Sequence, residues 1–304
     1  MINSIKITNY RDESLEIKLT EAVPAHGLWL TGIDGLGPVK ASINMKDNSL
    51  VDGSRYNSAR AQKRNIVINF RFMEAPTIED TRQLTYKYFP LKKRLKFEID
   101  TDNRKLCTYG YVESNEPDIF SDKEGCKISI LCEDAYFHIV DVEANSIVTL
   151  INPKFEFPFD NNSVEEHLIE FGEIEVRQEC NVFYEGDVET GMIIKAHAYG
   201  TVENITIFNL TTRGRIVIDT SIIETLTGSG IGVGDTIIIN TNNGQQNVQL
   251  LRAGVYYNIL NAIDKTNVEW FYLSKGDNLF SYIAEAGETN LFLEIQNDIL
   301  YEGV

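Results

Sequence analysis

Apolar residues alternate with polar ones through much of the first 140 residues, which is the period of a β-strand with one buried face. The clearest run places Ile66, Ile68, Phe70 and Phe72 on one face. Runs with the same period are Ile5/Ile7, Leu15/Ile17/Leu19, Leu95/Phe97/Ile99 and Cys126/Ile128/Ile130/Cys132. The first half is therefore predicted to be an antiparallel β domain.

One helix is predicted within this half. Thr77 has the type of an N-cap residue, Asp80 stands three positions on as a capping-box partner, and Pro90 closes the segment. The stripe predicted to face the sheet consists of Ile78, Thr81, Leu84/Thr85 and Tyr88. We expect this helix to cover one face of the sheet, giving an α+β first domain.

The second half shows short β-type runs with few helix signals. They include Met192/Ile194/Ala196/Ala198, Ile205/Ile207, Ile216/Ile218 and Leu291/Leu293/Ile295. Asn243-Gly244 lies between runs 236–241 and 245–251, which predicts a hairpin. The glycines of 228–234 alternate strictly, unlike a phosphate-binding loop, and predict a flexible loop between strands. This half is predicted to be a β-sandwich or jelly roll.

The change in character falls around Pro153 and Pro158. We therefore predict a first domain over residues 1–140, a linker over 141–164 and a second domain over 165–304.

Charge separates the two halves more sharply than hydropathy does. The net charge is −17, yet residues 1–140 hold 20 basic and 20 acidic side chains, whereas residues 141–304 hold 8 and 25. A neutral half can pack closely against other proteins, and a strongly acidic half repels nucleic acid and stays solvated.

Catalytic motifs are not apparent. The histidines are scattered, and no serine or cysteine lies in a nucleophile-elbow pattern. We expect no enzyme activity, cofactor or metal.

The four cysteines lack metal or disulfide spacing and are predicted to be buried thiols: Cys107, Cys126, Cys132 and Cys180. The N-terminal residues do not predict a secretion signal, and no apolar run predicts membrane insertion.

An ordered series of motifs resembles the phage tail family that includes distal tail (Dit-type) proteins of siphoviruses infecting Gram-positive bacteria. In the first half the series is GIDGLG from Gly32, DGSRY from Asp52, RNI from Arg64, RQL from Arg82, YGYVES from Tyr109 and ISILCEDAYF from Ile128. It continues with INP from Ile151, WFYL from Trp270, GDN from Gly276 and the terminal YEGV. Family members often carry proline where Glu133-Asp134-Ala135 stands here.

The resemblance implies a non-enzymatic homohexameric ring in the virion tail, assembled in the host cytoplasm. First domains would surround the lumen through which the genome passes, and a galectin-like second domain would project outward. The implied partners are the tail tube protein, the tail-tip protein and a receptor-binding protein.

Residue types suggest which positions serve such a ring. Gly32, Gly35, Gly37 and Gly53 are predicted to permit tight turns, and Arg60, Arg64, Arg71 and Arg82 are candidates for ion pairs between subunits.

The alternative is a lectin-like module that binds cell-wall carbohydrate. Trp270, Tyr272 and Tyr282 could form an aromatic surface for sugar or for a protein partner. Alternation places Trp270 and Tyr272 on one face and Phe271 and Leu273 on the other, so at least one of these pairs is expected in the core.

Overall fold

The computed structural model describes residues 1–20, 24–47, 52–140, 144–147, 149–153, 172–176, 179–265 and 268–304. Of the predicted linker 141–164, residues 144–147 and 149–153 are described, and the others lie outside the described residues. The chain forms two compact units, Met1–Val142 with Leu300–Val304, and Glu143–Ile299.

Among its described residues, the first unit contains ten strands and one helix before the chain enters the second unit. The strands are β1 (Ile2–Thr8), β2 (Ser14–Lys18), β3 (Leu28–Asp34), β4 (Ala41–Asp47), β5 (Ser54–Ala61), β6 (Asn65–Phe72), β7 (Arg94–Thr101), β8 (Lys105–Asp118), β9 (Gly125–Cys132) and β10 (Phe137–Ile139), and the helix is α1 (Ile78–Tyr88).

Eight of these strands belong to one nine-stranded sheet. Seven of them follow the order β2-β1-β7-β8-β9-β6-β3 with antiparallel neighbours, and β10 pairs with β8 off this path. Ile68 on β6 pairs with Ile128 on β9, and Ile66 pairs with Ile130. All four side chains are buried, because residues two apart share a face of a strand. The predicted alternation is confirmed here and on β1 and β7.

The helix α1 begins as predicted. The Thr77 side chain accepts a hydrogen bond from the Asp80 amide at 3.1 Å, and its hydroxyl donates to the Asp80 carboxylate at 2.6 Å. The helix packs against β6 and β8. Its fully buried residues are Thr81 and Thr85, both members of the predicted stripe, whereas Ile78, Leu84 and Tyr88 are half-buried.

The second unit is also built mainly of strands. They are β11 (Ala144–Ile147), β12 (Thr149–Pro153), β13 (Gly172–Val176), β14 (Glu179–Tyr184), β15 (Ile193–Ala198), β16 (Glu203–Asn209), β17 (Gly214–Ile218), β18 (Thr236–Asn240), β19 (Asn247–Arg252), β20 (Val255–Asn258), β21 (Gly276–Ala286) and β22 (Leu291–Asn297). Helix α2 (Thr220–Thr227) and two short 3-10 turns, Leu260–Ala262 and Glu288–Asn290, interrupt them.

Two antiparallel sheets dominate this unit, in the orders β11-β22-β15-β18-β19-β20 and β14-β21-β16-β17. Each has one buried face, with Ile194 and Leu293 on the first sheet and Ile207 and Phe280 on the second. The prediction of a mainly antiparallel β fold is confirmed.

Local details of the second unit differ from the prediction. Strands β18 and β19 do form a hairpin, but their last pair is Asn240 with Asn247, so Asn243-Gly244 lies inside a longer loop than a two-residue turn. Helix α2 was not predicted. Asp219 caps its start by accepting from the Ser221 amide at 2.9 Å, and Gly228 ends it with a left-handed φ of 81°.

The end of the chain returns to the first unit. Strand β23 (Leu300–Tyr301) pairs with β10, with Phe137 opposite Tyr301. The Val304 amide donates to the Leu36 carbonyl at 3.0 Å, and the Arg104 guanidinium lies 4.2 Å from the Tyr301 ring centroid. Residues 300–304 thus lie in the first unit, whereas the sequence suggested that the second domain extends to 304. The local pattern of so short a strand does not encode its distant partner.

Candidate assembly surfaces

Strands β4 and β5 form a two-stranded antiparallel ribbon in which every residue is exposed. Its exposed apolar side chains include Ile43, Met45 and Tyr56, at 60%, 53% and 60% of their full accessible surface. A lone two-stranded ribbon is marginal in water, and edges of this kind invite pairing with another chain. The ribbon is therefore a candidate surface for assembly.

Arg60 lies on this ribbon and is exposed. Arg71 is exposed on β6. Arg82, on α1, is half-buried and lies 3.6 Å from the Glu124 carboxylate of its own unit. Arg60 and Arg71 therefore remain the more accessible candidates for contacts between subunits.

Arg64 occupies a different environment from the one the sequence suggested, because its side chain is fully buried in the first unit. Its Nε donates to the Ala135 carbonyl at 3.0 Å and its Nη2 to the Glu302 carbonyl at 2.6 Å. Nη1 donates to the carbonyls of Gly35 and Gly37 at 2.5 and 2.9 Å. The prediction that Arg64 pairs across a subunit boundary is wrong for this fold, since no surface of the side chain is left to offer.

The surroundings of Arg64 explain how the fold accommodates a buried guanidinium. Burial lowers the pKa of the guanidinium below its ordinary value, and the nearby Cys132 and Asp134 act in the opposite direction. The guanidinium carbon lies 4.1 Å from the Phe137 ring centroid, a cation–π contact. Four carbonyl dipoles and a ring face replace water around this cation.

The four candidate turn glycines divide into two pairs. Gly35 and Gly53 have φ values of 88° and 104°, which favour glycine. A Cβ at Gly35 would lie 2.0 Å from the Asn65 carbonyl oxygen. Gly32 instead lies at a register shift within β3, and Gly37 lacks a positive φ. The Gly37 carbonyl accepts a hydrogen bond from Arg64.

The structure excludes one of the three residues of the candidate aromatic surface in the second unit. Tyr282 is fully buried, and its hydroxyl donates to the Leu291 carbonyl at 3.0 Å. Phe271 and Leu273 are the core pair, whereas Trp270 and Tyr272 are half-buried. The Tyr272 hydroxyl donates to Asn243 at 2.8 Å. Tyr282 is therefore removed from any sugar or partner surface.

An apolar tip lies in the turn between β8 and β9. Phe120 is 100% exposed and Ile119 is 44% exposed. Exposed Asp118 and Asp122 flank them. A fully exposed aromatic side chain gains from burial against a partner.

A second arginine-centred cluster orders the glycine-rich loop of the second unit. Arg252 forms two hydrogen bonds with buried Asp235, Nε–Oδ1 at 2.9 Å and Nη2–Oδ2 at 2.6 Å. It also donates to the Ser229 hydroxyl at 2.5 Å and the Gly230 carbonyl at 2.7 Å. The loop predicted to be flexible is thus tied to β19.

The four cysteines are free and buried, as predicted. Burial raises the pKa of Cys126 to about 12 and that of Cys132 to about 11.

Among the described residues, no group of three or more His, Cys, Asp or Glu side chains has a metal-binding arrangement. No helix in the described part of the chain has the length and apolar character needed to cross a bilayer.

The fold defines a two-unit antiparallel β protein whose first unit is completed by its own C-terminal strand. No family model and no curated protein matches the sequence. Among solved structures, the Dit protein of phage SPP1, described as a paradigm of the hub adsorption apparatus in phages infecting Gram-positive bacteria, is similar at a TM-score of 0.62 and 9% identity. The match covers 97% of this chain and 98% of that one.

Chains from two structures of the phage p2 baseplate in its activated conformation also match. With calcium, identity is 12%, each chain is covered to 100% and the TM-score is 0.46. With strontium, identity is 13%, coverage is 99% of each and the TM-score is 0.46. The resemblance to Dit-type distal tail proteins is thus confirmed in the fold, by the match to SPP1 Dit.

Proposed function

We propose that this chain is a structural hub subunit of a phage tail or tail-like particle, forming a hexameric ring that joins the tail tube to the tail-tip device. The fold shared with SPP1 Dit over nearly the full length of both chains carries this proposal. The chain would act at the tail tip of the virion after assembly in the host cytoplasm.

The exposed ribbon supports self-assembly. Ile43, Met45 and Tyr56 expose apolar surface on strands that gain no core of their own. Packing them against a neighbouring subunit would remove this surface from water, at about 25 cal/mol for each Å² buried. The charge balance of residues 1–140 permits such close packing.

The acidic second half supports a division of labour. Its 25 acidic and 8 basic residues favour partners that carry basic patches, such as a tail-tip or receptor-binding protein. The genome would pass through the lumen of the ring without specific binding. Docking between exposed charges would slow as salt rises, because the Debye length falls from about 10 Å at 0.1 M to about 3 Å at 1 M.

Negative-stain imaging and light scattering of the full chain test the ring. We expect sixfold rings and a hexameric mass, both lost when Ile43, Met45 and Tyr56 are replaced by serine. The matched control replaces exposed Val255 and Tyr256 of β20 by serine and should keep the ring. A wild-type chain that stays monomeric at every concentration would contradict the proposal. Direct binding on a glycan array would instead favour the lectin-like function.

A further inference from the structure

A cavity of about 200 Å³ lies at the base of the β4–β5 ribbon, wholly within the first unit. Pro38, Val39 and three alanines, Ala41, Ala59 and Ala61, contribute small apolar groups to its wall. Arg60, Tyr136 and Glu302 complete the lining. The wall thus combines apolar surface with one basic and one acidic side chain, which suits an aromatic side chain flanked by charges.

The exposed tip of the β8–β9 turn has the complementary chemistry. Phe120 exposes its whole side chain, and exposed Asp118, Asp122 and Lys123 lie beside it. Arg60 in the cavity can pair with the tip's aspartates, and Glu302 can pair with Lys123. The guanidinium of Arg60 can also stack on the Phe120 ring.

The topology separates the tip from the cavity. The tip directly precedes Gly125, where β9 begins, and Tyr136 of the cavity follows Cys132, where β9 ends. A strand of this length spans roughly 25 Å at about 3.3 Å per residue. Phe120 therefore lies at the opposite end of β9 from the cavity, and a neighbouring copy of the chain can bring the two together.

We propose that Phe120 of one copy inserts into the cavity of the next copy, so that the ring is held by a head-to-tail contact. Two different patches meet in such a heterologous contact, and it generates a ring when the rotation closes. The proposal rests on the ring-forming function and specifies which surfaces meet. Both surfaces belong to the first unit, so the contact leaves the second unit free for other partners.

Two variants test the contact from its two sides. Phe120→Ser removes the tip, and Ala59→Trp fills the cavity; both positions are exposed, so the fold should persist, as circular dichroism would verify. Each variant alone should associate about 30-fold or more weakly than wild type, as expected for loss of a central aromatic anchor. Phe183→Ser and Asn258→Trp, at exposed positions of the second unit, are the controls and should assemble normally.

Mixing the two variants gives the sharper result. The Ala59→Trp chain keeps its Phe120 and the Phe120→Ser chain keeps its cavity, so one intact contact remains and the mixture should form heterodimers by native mass spectrometry. Rings from either variant alone, or a mixture that stays monomeric while wild type forms rings, would overturn this contact and leave the ring function standing. A wild-type chain that never assembles would overturn the ring function itself.

Discussion

Arg64 in the first unit and Arg252 in the second both hold distant segments together, but their partners differ. Among the described residues, Arg64 donates only to backbone carbonyls, whereas Arg252 forms a bidentate pair with Asp235. Carbonyl dipoles do not titrate, and a carboxylate does. The comparison shows that a cation can be stabilised with or without an ionisable partner, whether it is fully buried like Arg64 or half-buried like Arg252. The choice of partner determines how each unit responds to acid.

Replacing Arg64 by methionine should produce the largest effect. The change keeps most of the side-chain volume but leaves the carbonyls of Gly35, Gly37, Ala135 and Glu302 without their donor. Hydrogen bonds to charged groups contribute about 1.5–3 kcal/mol each, and these are not additive, so we expect a loss of at least about 3 kcal/mol in the free energy of unfolding.

Urea denaturation at neutral pH measures this loss. Arg64→Lys is the matched control, because its ammonium retains the charge without the planar fork and should recover part of the stability. A stability of Arg64→Met within about 0.5 kcal/mol of wild type would show that the carbonyls find other donors at little cost.

Replacing Arg252 by methionine should have a smaller effect that depends on pH. Burial alone raises the pKa of Asp235, but the hydrogen bonds from Arg252 and the Gly232 amide, with the charge of Arg252, leave it below its ordinary value of 3.8. A carboxyl whose pKa is depressed on folding stabilises the fold above its unfolded pKa, and this contribution is lost as pH falls through the folded pKa.

We therefore expect Arg252→Met to lose about 1–3 kcal/mol at pH 7. The deficit should shrink as pH falls below about 4, whereas that of Arg64→Met should change less over the same range, because its hydrogen-bond acceptors are carbonyls and only the nearby charge of Asp134 titrates. Urea denaturation at a series of pH values compares them. A deficit at Arg252 that does not change with pH would remove Asp235 from the explanation.

Thiol labelling localises each effect to its unit. Cys107, Cys126 and Cys132 are buried in the first unit and Cys180 in the second, so native protein should label slowly at all four. Arg64→Met should speed labelling of the first three by about tenfold, as local opening becomes more frequent, and Arg252→Met should speed Cys180 alone. Peptide mass mapping after timed exposure reads this out, and equal acceleration at all four thiols would mean that the units open together.

Replacing Arg94 by alanine should have the smallest effect. Arg94 forms a bidentate pair with Glu133 at 2.9 and 3.1 Å, but the two side chains are 51% and 41% exposed. Exposed pairs contribute about 0.2–1 kcal/mol, so a loss below about 1 kcal/mol that fades in 1 M salt is expected. A loss as large as that of Arg64→Met would contradict the role we assign to burial.

The sequence predicted those elements in which buried side chains recur at a regular spacing along the chain. Ile66 and Ile68 of β6, and the Thr77 cap of α1, show their roles in local patterns. Strands β4 and β5 have no buried face, so no alternation marks them. Helix α2 did leave a signal, Asp219 before it and Gly228 after it, which the neighbouring β-type runs obscured.

Surface assignments from residue type were less successful. Arginine is usually exposed, and the partners of Arg64 come from positions as distant as Gly35 and Glu302, so only the folded chain reveals its burial. Tyr282 was different, because its spacing of two from buried Phe280 already placed it on the core face of β21.

The pairing of β23 with β10 has a consequence for synthesis. The ribosome completes β10 first, then makes the second unit, and only afterwards makes residues 300–304, which finish the first unit. At about 5–20 residues per second, the intervening chain takes roughly 8–30 s to translate. Throughout this interval β10 cannot pair with β23, and Nη2 of Arg64 cannot donate to the Glu302 carbonyl. The nascent first unit is therefore incomplete until residues 300–304 emerge. The cavity that Glu302 lines, and with it the proposed contact between copies, cannot form before the second unit has been synthesised.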